Sequence, residues 1–287
     1  MKKRIIVLAK QVPDTANIKG NAMKEDGTVN RAVLPAVFNP EDLNALEMAL
    51  EIKERLKGEV TVVSMGPPAA VEILKMALYM GADRVYLITD RAYAGSDTLV
   101  TSLILARAIV CLGGADIILA GRQAIDGDTA QVGPQVAEKL DFDQVTYVSE
   151  LCEVAPEYVV VKRDGELQIE TLRAPLPVLL TITSQANTPR YPSSFKMRKY
   201  FRARLSTLWN DDERSSAEEK GWSIPVLTQA ELNIDPALCG LKGSPTKVHQ
   251  IKNISLAGGN LAIYESQDMG IRQLIRDIMK DYVEVEQ

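Results

Sequence analysis

The chain has 287 residues, 46% apolar and 25% charged, with 5% aromatics and a net charge of −5. That is room for one large or two small domains of a soluble globular type, and the acidic balance and scarce aromatics exclude nucleic-acid binding as the main role. No apolar run approaches the roughly 20 residues of a membrane helix, and three scattered cysteines with a single histidine, His249, and no CxxC exclude a disulfide framework, disfavour zinc or iron–sulfur sites and point to a reducing cytoplasm.

Met1 to Arg4 is basic and Ile5–Ala9 is apolar, but Lys10 and a Pro-Asp turn follow so soon that a first strand, not a signal peptide, is expected. Pro13 to Asn39 is polar and turn-rich, with Gly20 and Glu25-Asp26-Gly27, and predicts a loop or hairpin excursion. Asn39-Pro40-Glu41-Asp42 is a helix start, with Asn39 as N-cap and Pro40 at the first helical position, and Gly58 is expected to stop that helix. Strands are then predicted at Val60–Met65, Val85–Ile88 and Ile117–Ala120, and helices at Ala69–Met80, Thr98–Leu112 and from about Gln131 to Leu140. The alternation predicts an α/β fold, a Rossmann-like doubly wound parallel sheet.

Ligands of such sheets bind beyond the carboxyl ends of the strands. Those ends carry Leu8, Ala9 and Lys10; Ser64, Met65 and Gly66; Asp97, Thr98 and Thr101; and the stretch after Ala120. That stretch holds Gly121, Arg122, Gln123, Ala124, Asp126 and Gly127, then Asp128, Thr129, Ala130, Gln131, Val132 and Gly133. A strand, a glycine-bearing turn and a helix start together make an anion site, because free amides at a helix N-terminus accept phosphate. The glycines are expected to supply close approach and positive φ. Singly, each feature has a plain reading: Asn39 and Asp97 as caps, Lys10 as a solvated strand-end charge, the turn as an ordinary βα loop that matches neither a Walker loop nor GxGxxG.

From Val145 the pattern becomes short alternating strands at Tyr147–Cys152, Tyr158–Lys162 and Leu167–Leu172, an antiparallel meander, and Val178–Thr183 is expected to rejoin the main sheet. Residues 187–210 contain Arg190, Lys196, Arg198, Lys199, Arg202 and Arg204 and no acid, interleaved with Tyr191, Phe195, Tyr200 and Phe201. Such a segment is either a solvated helix face or a contact for an acidic partner or phosphate. Residues 211–221 read as a linker, Thr228–Ile234 as a short helix and Tyr264–Tyr282 as an amphipathic helix. The expected division is a nucleotide-binding α/β domain over 1–205 and, over 206–287, a linker and C-terminal arm too poor in apolar residues to form its own core.

Several of these stretches resemble the β subunits of electron transfer flavoproteins. They are Asn39-Pro40 with its helix, Val62 to Pro67, Met80 to Arg84, Gln123 to Gly133, Thr171-Leu172-Arg173, Leu176-Pro177 and Pro189-Arg190-Tyr191, covering roughly residues 1–200. The resemblance implies an adenine nucleotide alpha hydrolase-like variant of the sheet and a heterodimer with an FAD-carrying α subunit, on which the C-terminal arm packs. It implies a nucleotide against Leu8-Ala9, Asn39 to Asp42, Met65 and Gly121 to Gly133, with amides near Asp128 to Val132 on its phosphate and Ala9 and Met65 beside the adenine. That nucleotide is AMP in ordinary members and a second FAD in electron-bifurcating ones.

Gly95 to Ser102 and Gly243-Ser244-Pro245-Thr246 resemble the bifurcating pattern, which implies FAD near the Thr98 and Thr101 hydroxyls, NADH as hydride donor, and ferredoxin or flavodoxin as low-potential acceptor. One departure stands out. Ordinary members place a leucine shortly after Arg-Tyr, in a loop that docks acyl-CoA dehydrogenases, whereas here Pro192-Ser193-Ser194-Phe195 follows, so that or another redox partner is expected to meet a different surface. Two alternatives stay open: a non-bifurcating subunit with structural AMP, and an adenine-nucleotide-handling enzyme or sensor using Asp126 or Asp128 for a metal.

Overall fold

Ile5–Ala9 and Ile117–Ala120 are apolar at every position, and Val60–Val63 and Val178–Ile182 at all but one threonine each, the signature of parallel strands covered on both faces. The computed structural model, which describes residues 2–14, 35–246 and 262–283, places all of them in one sheet. In chain order the first half comprises β1 (Arg4–Ala9), β2 (Gln11–Pro13), β3 (Ala36–Phe38), α1 (Pro40–Leu56), β4 (Glu59–Met65), α2 (Val71–Met80), β5 (Arg84–Ile88), α3 (Thr98–Cys111), β6 (Ile117–Gly121) and α4 (Val132–Leu140). There follow β7 (Asp143–Val154), β8 (Tyr158–Asp164), β9 (Ile169–Pro175), β10 (Val178–Ile182), α5 (Ser194–Tyr200), β11 (Arg204–Leu205), α6 (Asp211–Glu219), β12 (Ser223–Ile224), β13 (Val226–Leu227), α7 (Gln229–Leu232), α8 (Gly240–Gly243) and α9 (Asp268–Val283).

The main sheet has the order β13-β5-β4-β1-β6-β10-β7-β8-β9. Every pair from β13 to β7 is parallel, and β7-β8-β9 is the antiparallel meander, so β10 does rejoin the parallel sheet. One core lies between the sheet and α1 and α2, through Ile5, Val7, Leu46, Ile52, Val62 and Leu74. The other lies under α3 and α4, through Ile6, Leu8, Ile104, Ile109, Ile118 and Val136. This is the helix–sheet–helix sandwich that doubly wound strands require. Strand order reverses at β1, with β4 on one side and β6 on the other, and a crevice opens at their carboxyl ends.

Local details refine the expectations. Strands β2 and β3 pair antiparallel and close the excursion at its base, while Gly20 and Glu25 to Gly27 lie outside the described residues, as does His249. The left-handed residue ending α1 is Lys57, with φ 52°, rather than Gly58.

The basic segment is partly spent inside the chain. Arg190 forks onto the buried Glu47 carboxylate at 2.9–3.0 Å and reaches Glu54 at 2.7 Å, and Asn187 exchanges bonds with Asn44. Arg204 stacks 3.9 Å from the Trp209 ring centroid and pairs with Glu213. A surface cavity of about 550 Å³ remains between α5 and the end of α6, lined by Phe195, Arg198, Lys199 and Trp222 among others.

Residues 206–246, expected as the start of an arm for a partner, are packed on this chain's own sheet. Strand β13 adds an edge to β5, and Leu232, Ile234 and Cys239 enter the α3-side core. The segment is short of apolar residues because it needs only enough to cover one existing edge. Leu119, fully buried on β6 between both layers, gives the direct check on this architecture: Leu119→Ala is expected to lower unfolding free energy by about 2–5 kcal/mol in a denaturant titration.

Candidate functional site

The crevice is organised by the first turn of α1. Asp42 accepts from the amides of Gly121, at 2.9 Å, and Lys10, at 2.8 Å. Glu41 accepts from the Gln123 amide at 3.0 Å and pairs with the Arg122 guanidinium at 3.1 Å. Asn39 occupies the N-cap position, yet its side chain does not cap α1. It donates to the Gln123 carbonyl at 2.9 Å and accepts from the Ile125 amide at 3.2 Å. Alternate amides at 121, 123 and 125 are thus held by three side chains of one helical turn. The reason is proximity: β6 runs directly beneath that turn. A Cβ on Gly121 would sit 2.5 Å from Asp42 Oδ1, so only glycine allows the approach.

The amides expected to meet phosphate were those near Asp128 to Val132, and of these Asp128 is already engaged. Arg122 donates to the Ile182 carbonyl, and Gly127 and Asp128 to the Ala124 carbonyl. The amides of Thr129 to Gly133 find no acceptor among the described residues. Gln131 to Gly133 form the start of α4, where the helix has no internal acceptor to offer, and Thr129 and Ala130 lead into it. Positive φ also falls elsewhere than expected, at Asp128 (48°) and Ala130 (52°) rather than on Gly121, Gly127 or Gly133. Gly133 serves packing, since a Cβ there would meet Thr181 at 2.8 Å.

The crevice, about 450 Å³, is floored by Leu8, Ala9, Val63, Met65, Leu105 and Ala120, within the range of small-molecule sites. One wall is the turn, from Gly121 to Ala124 and from Gly127 to Gly133. The opposite wall is Ser96, Asp97, Thr98 and Thr101 at the start of α3, joined by Thr246. Thr98 donates across the gap to Gln131 at 2.8 Å, and Ser102 is directed away, to the Leu99 carbonyl and Gln135. Asp97 does cap α3, as expected, accepting from the Val100 amide at 3.0 Å. It also accepts from both the amide and the hydroxyl of Thr246, at 3.0 and 2.7 Å, while the Asp97 amide donates to the Ser244 hydroxyl at 2.9 Å. Partial desolvation works against ionisation of Asp97, but these bonds outweigh it and hold its carboxyl below the usual range.

Four of the expected site residues do not line the crevice. Asn39 stands behind the turn as its support, and Pro40 is exposed at the first position of α1. Ser64 belongs to the alternate face of β4, with Val60 and Val62, and its buried hydroxyl has no partner among the described residues. Asp126 turns to Lys10, whose ammonium reaches its two oxygens at 2.7 and 2.8 Å. Lys10 is therefore no free strand-end charge, and it lines the crevice. Val63, Ser96, Leu105, Ala120 and Thr246 were not expected there. Val63, Ser96 and Ala120 adjoin predicted strand ends or a helix start, Leu105 lies within the predicted third helix, and Thr246 belongs to the Gly243 to Thr246 stretch that carried a resemblance but no sign of its place beside Asp97, 149 residues away.

With this geometry in hand, similarity to known proteins is informative. Residues 26–204 match the family model "Electron transfer flavoprotein domain". The electron transfer flavoprotein subunit beta of Thermoanaerobacterium thermosaccharolyticum is 46% identical over 85% of each chain. The caffeyl-CoA reductase-Etf complex subunit CarD of Acetobacterium woodii is 41% identical over 89% of this chain and 90% of its own. Protein FixA of Bradyrhizobium diazoefficiens is 38% identical over 98% and 93%.

Burial pushes Asp42 up to about 7, against the opposing pull of the Lys10, Asn39 and Gly121 hydrogen bonds. The unfolded chain releases this proton near pH 4. Folding therefore takes up a proton between those values, so this carboxyl's contribution to stability falls as pH rises from about 4 to about 7 and is constant above. Thermal or denaturant unfolding across pH 4–8 should show that slope in the wild type and lose it in Asp42→Asn, which is also expected to be less stable, because an amide cannot accept at both of its atoms.

Proposed function

The chain belongs to the electron transfer flavoprotein β-subunit family, and on that premise we propose that its crevice holds FAD, in a cytoplasmic heterodimer with an α subunit that carries another. The observation behind this reading is that one continuous crevice joins two kinds of wall: open amides from Thr129 to Gly133 and, across an apolar floor, the Thr98, Thr101 and Thr246 side of α3. The residues present fit an adenine nucleotide. Ala9 and Met65 offer apolar surface for a base, and the amides at the α4 terminus offer donors for phosphate. The α3 wall offers hydroxyl groups to a ligand longer than AMP. When bound, FAD supplies two-electron acceptance from NADH and one-electron release to two acceptors, the α-subunit flavin and a low-potential carrier such as ferredoxin or flavodoxin.

The chain's own residues supply position. Asn39, Glu41 and Asp42 keep the turn in place, Thr98 bridges to Gln131 across the opening, and Asp97 ties Thr246 to the wall. Helix α9 supports the partner reading: Ile271, Leu274, Ile275, Ile278 and Met279 are all exposed along it, an apolar stripe suited to an α subunit. An acyl-CoA dehydrogenase or another redox enzyme is the further partner. An ATP-handling enzyme or sensor is less well supported, since Asp126 is committed to Lys10 and Asp128 accepts from Gln123. The purified heterodimer is expected to show two flavins by absorbance after denaturation, no extractable AMP, and bleaching by NADH. One flavin with one AMP would return the crevice to AMP.

A further inference from the structure

We propose that Lys10 is the side chain that recognises the phosphate of the bound nucleotide, with Asp126 as its positioning residue. The inference rests on the nucleotide reading above and adds a residue to it. Lys10 follows immediately on β1, the strand at which sheet order reverses, so its backbone stands at the mouth of the crevice. Its amide is fixed by Asp42 at 2.8 Å, which sets the direction in which the side chain leaves the strand. The ammonium is held by both oxygens of Asp126, on the same turn that carries the open amides of Thr129 to Gly133.

Charge accounting singles this residue out. Among the described residues, two cations, Lys10 and Arg122, line the crevice, against three carboxylates, Asp42, Asp97 and Asp128. A phosphate entering beside those carboxylates needs a cation. Arg122 is engaged elsewhere: it pairs with Glu41, whose side chain is only 9% exposed, and lies over the Tyr147 ring. Drawing it away would leave a buried carboxylate unpaired, which is costly. Lys10 is 47% exposed on the side chain, and an ion pair at that exposure exchanges cheaply. An ammonium also has three donors, so its bonds to Asp126 leave capacity for a phosphate oxygen. The pair with Asp126 then keeps the long side chain from wandering, and less rotamer freedom is lost when the ligand arrives.

The test is calorimetric binding of AMP, adenosine and FAD to the full chain stripped of endogenous nucleotide, with circular dichroism confirming that each variant is folded. Lys10→Met is expected to weaken AMP roughly 10- to 100-fold, to leave adenosine unchanged and to flatten the salt dependence of AMP binding. Lys10→Arg should retain most of the affinity. Loss with AMP, with FAD or with both supports the proposal and identifies which phosphate is met. Adding Asp126→Asn to Lys10→Met should change AMP affinity no further, and an effect that persists in that background would overturn the positioning role. A wild type that binds AMP or FAD and a Lys10→Met variant that binds both as well as the wild type does would overturn the inference alone. A wild type that takes none of the three ligands would overturn the nucleotide reading beneath it.

Discussion

Three side chains on one helical turn decide the shape of this crevice. Asn39, Glu41 and Asp42 accept from amides at alternate positions of the segment leaving β6, and all three are buried. A buried amide left without an acceptor costs about 1–3 kcal/mol. The turn therefore follows α1 closely as far as Ile125, where that support ends. Beyond it, from Thr129 to Gly133, five successive amides meet no acceptor among the described residues. The same contacts that make the first half rigid leave the second half available.

The doubly wound sheet explains why the turn and its supports meet. Strands β1 and β6 are neighbours although more than a hundred residues separate them, and α1 crosses over both from the opposite face to α3 and α4. Asp42 bridges the ends of the two strands, to Lys10 on one and Gly121 on the other, and so holds the mouth of the crevice at one width. The second wall is completed from the far end of the chain. Segment 206–246 caps the β5 edge, fills the α3-side core and brings Thr246 to Asp97. Residues outside the first two hundred thus take part in the site, and the apolar stripe of α9 follows on from them.

Much of this was legible along the chain. The apolar runs identified β1, β4, β5, β6 and β10, because strands covered on both faces carry few polar positions, whereas β7, which alternates, read only as the start of the meander although it pairs parallel with β10. Asn39-Pro40 and Asp97 marked helix starts, and the Thr228 to Glu231 capping box confirms the short helix expected there. Eighteen of the expected crevice residues do come together. Strand ends and helix starts are local signals, and in an open α/β sheet they necessarily gather on one edge.

What the sequence by itself determined is the class of fold, the edge on which a ligand site forms and the family whose pattern the turn follows. Tertiary structure alone decided which groups on that edge remain free. Asn39 reads as a cap and serves as a clamp, Asp126 reads as a site acid and binds Lys10, and the glycines of the turn serve close packing while Asp128 and Ala130 take the left-handed conformations. It also turned a polar tail into a wall of the site. The physical reason is that strand and helix signals arise from neighbours a few residues apart. A hydrogen bond between Asn39 and Ile125, or between Asp97 and Thr246, joins groups 86 and 149 residues apart and leaves no periodic trace in either segment.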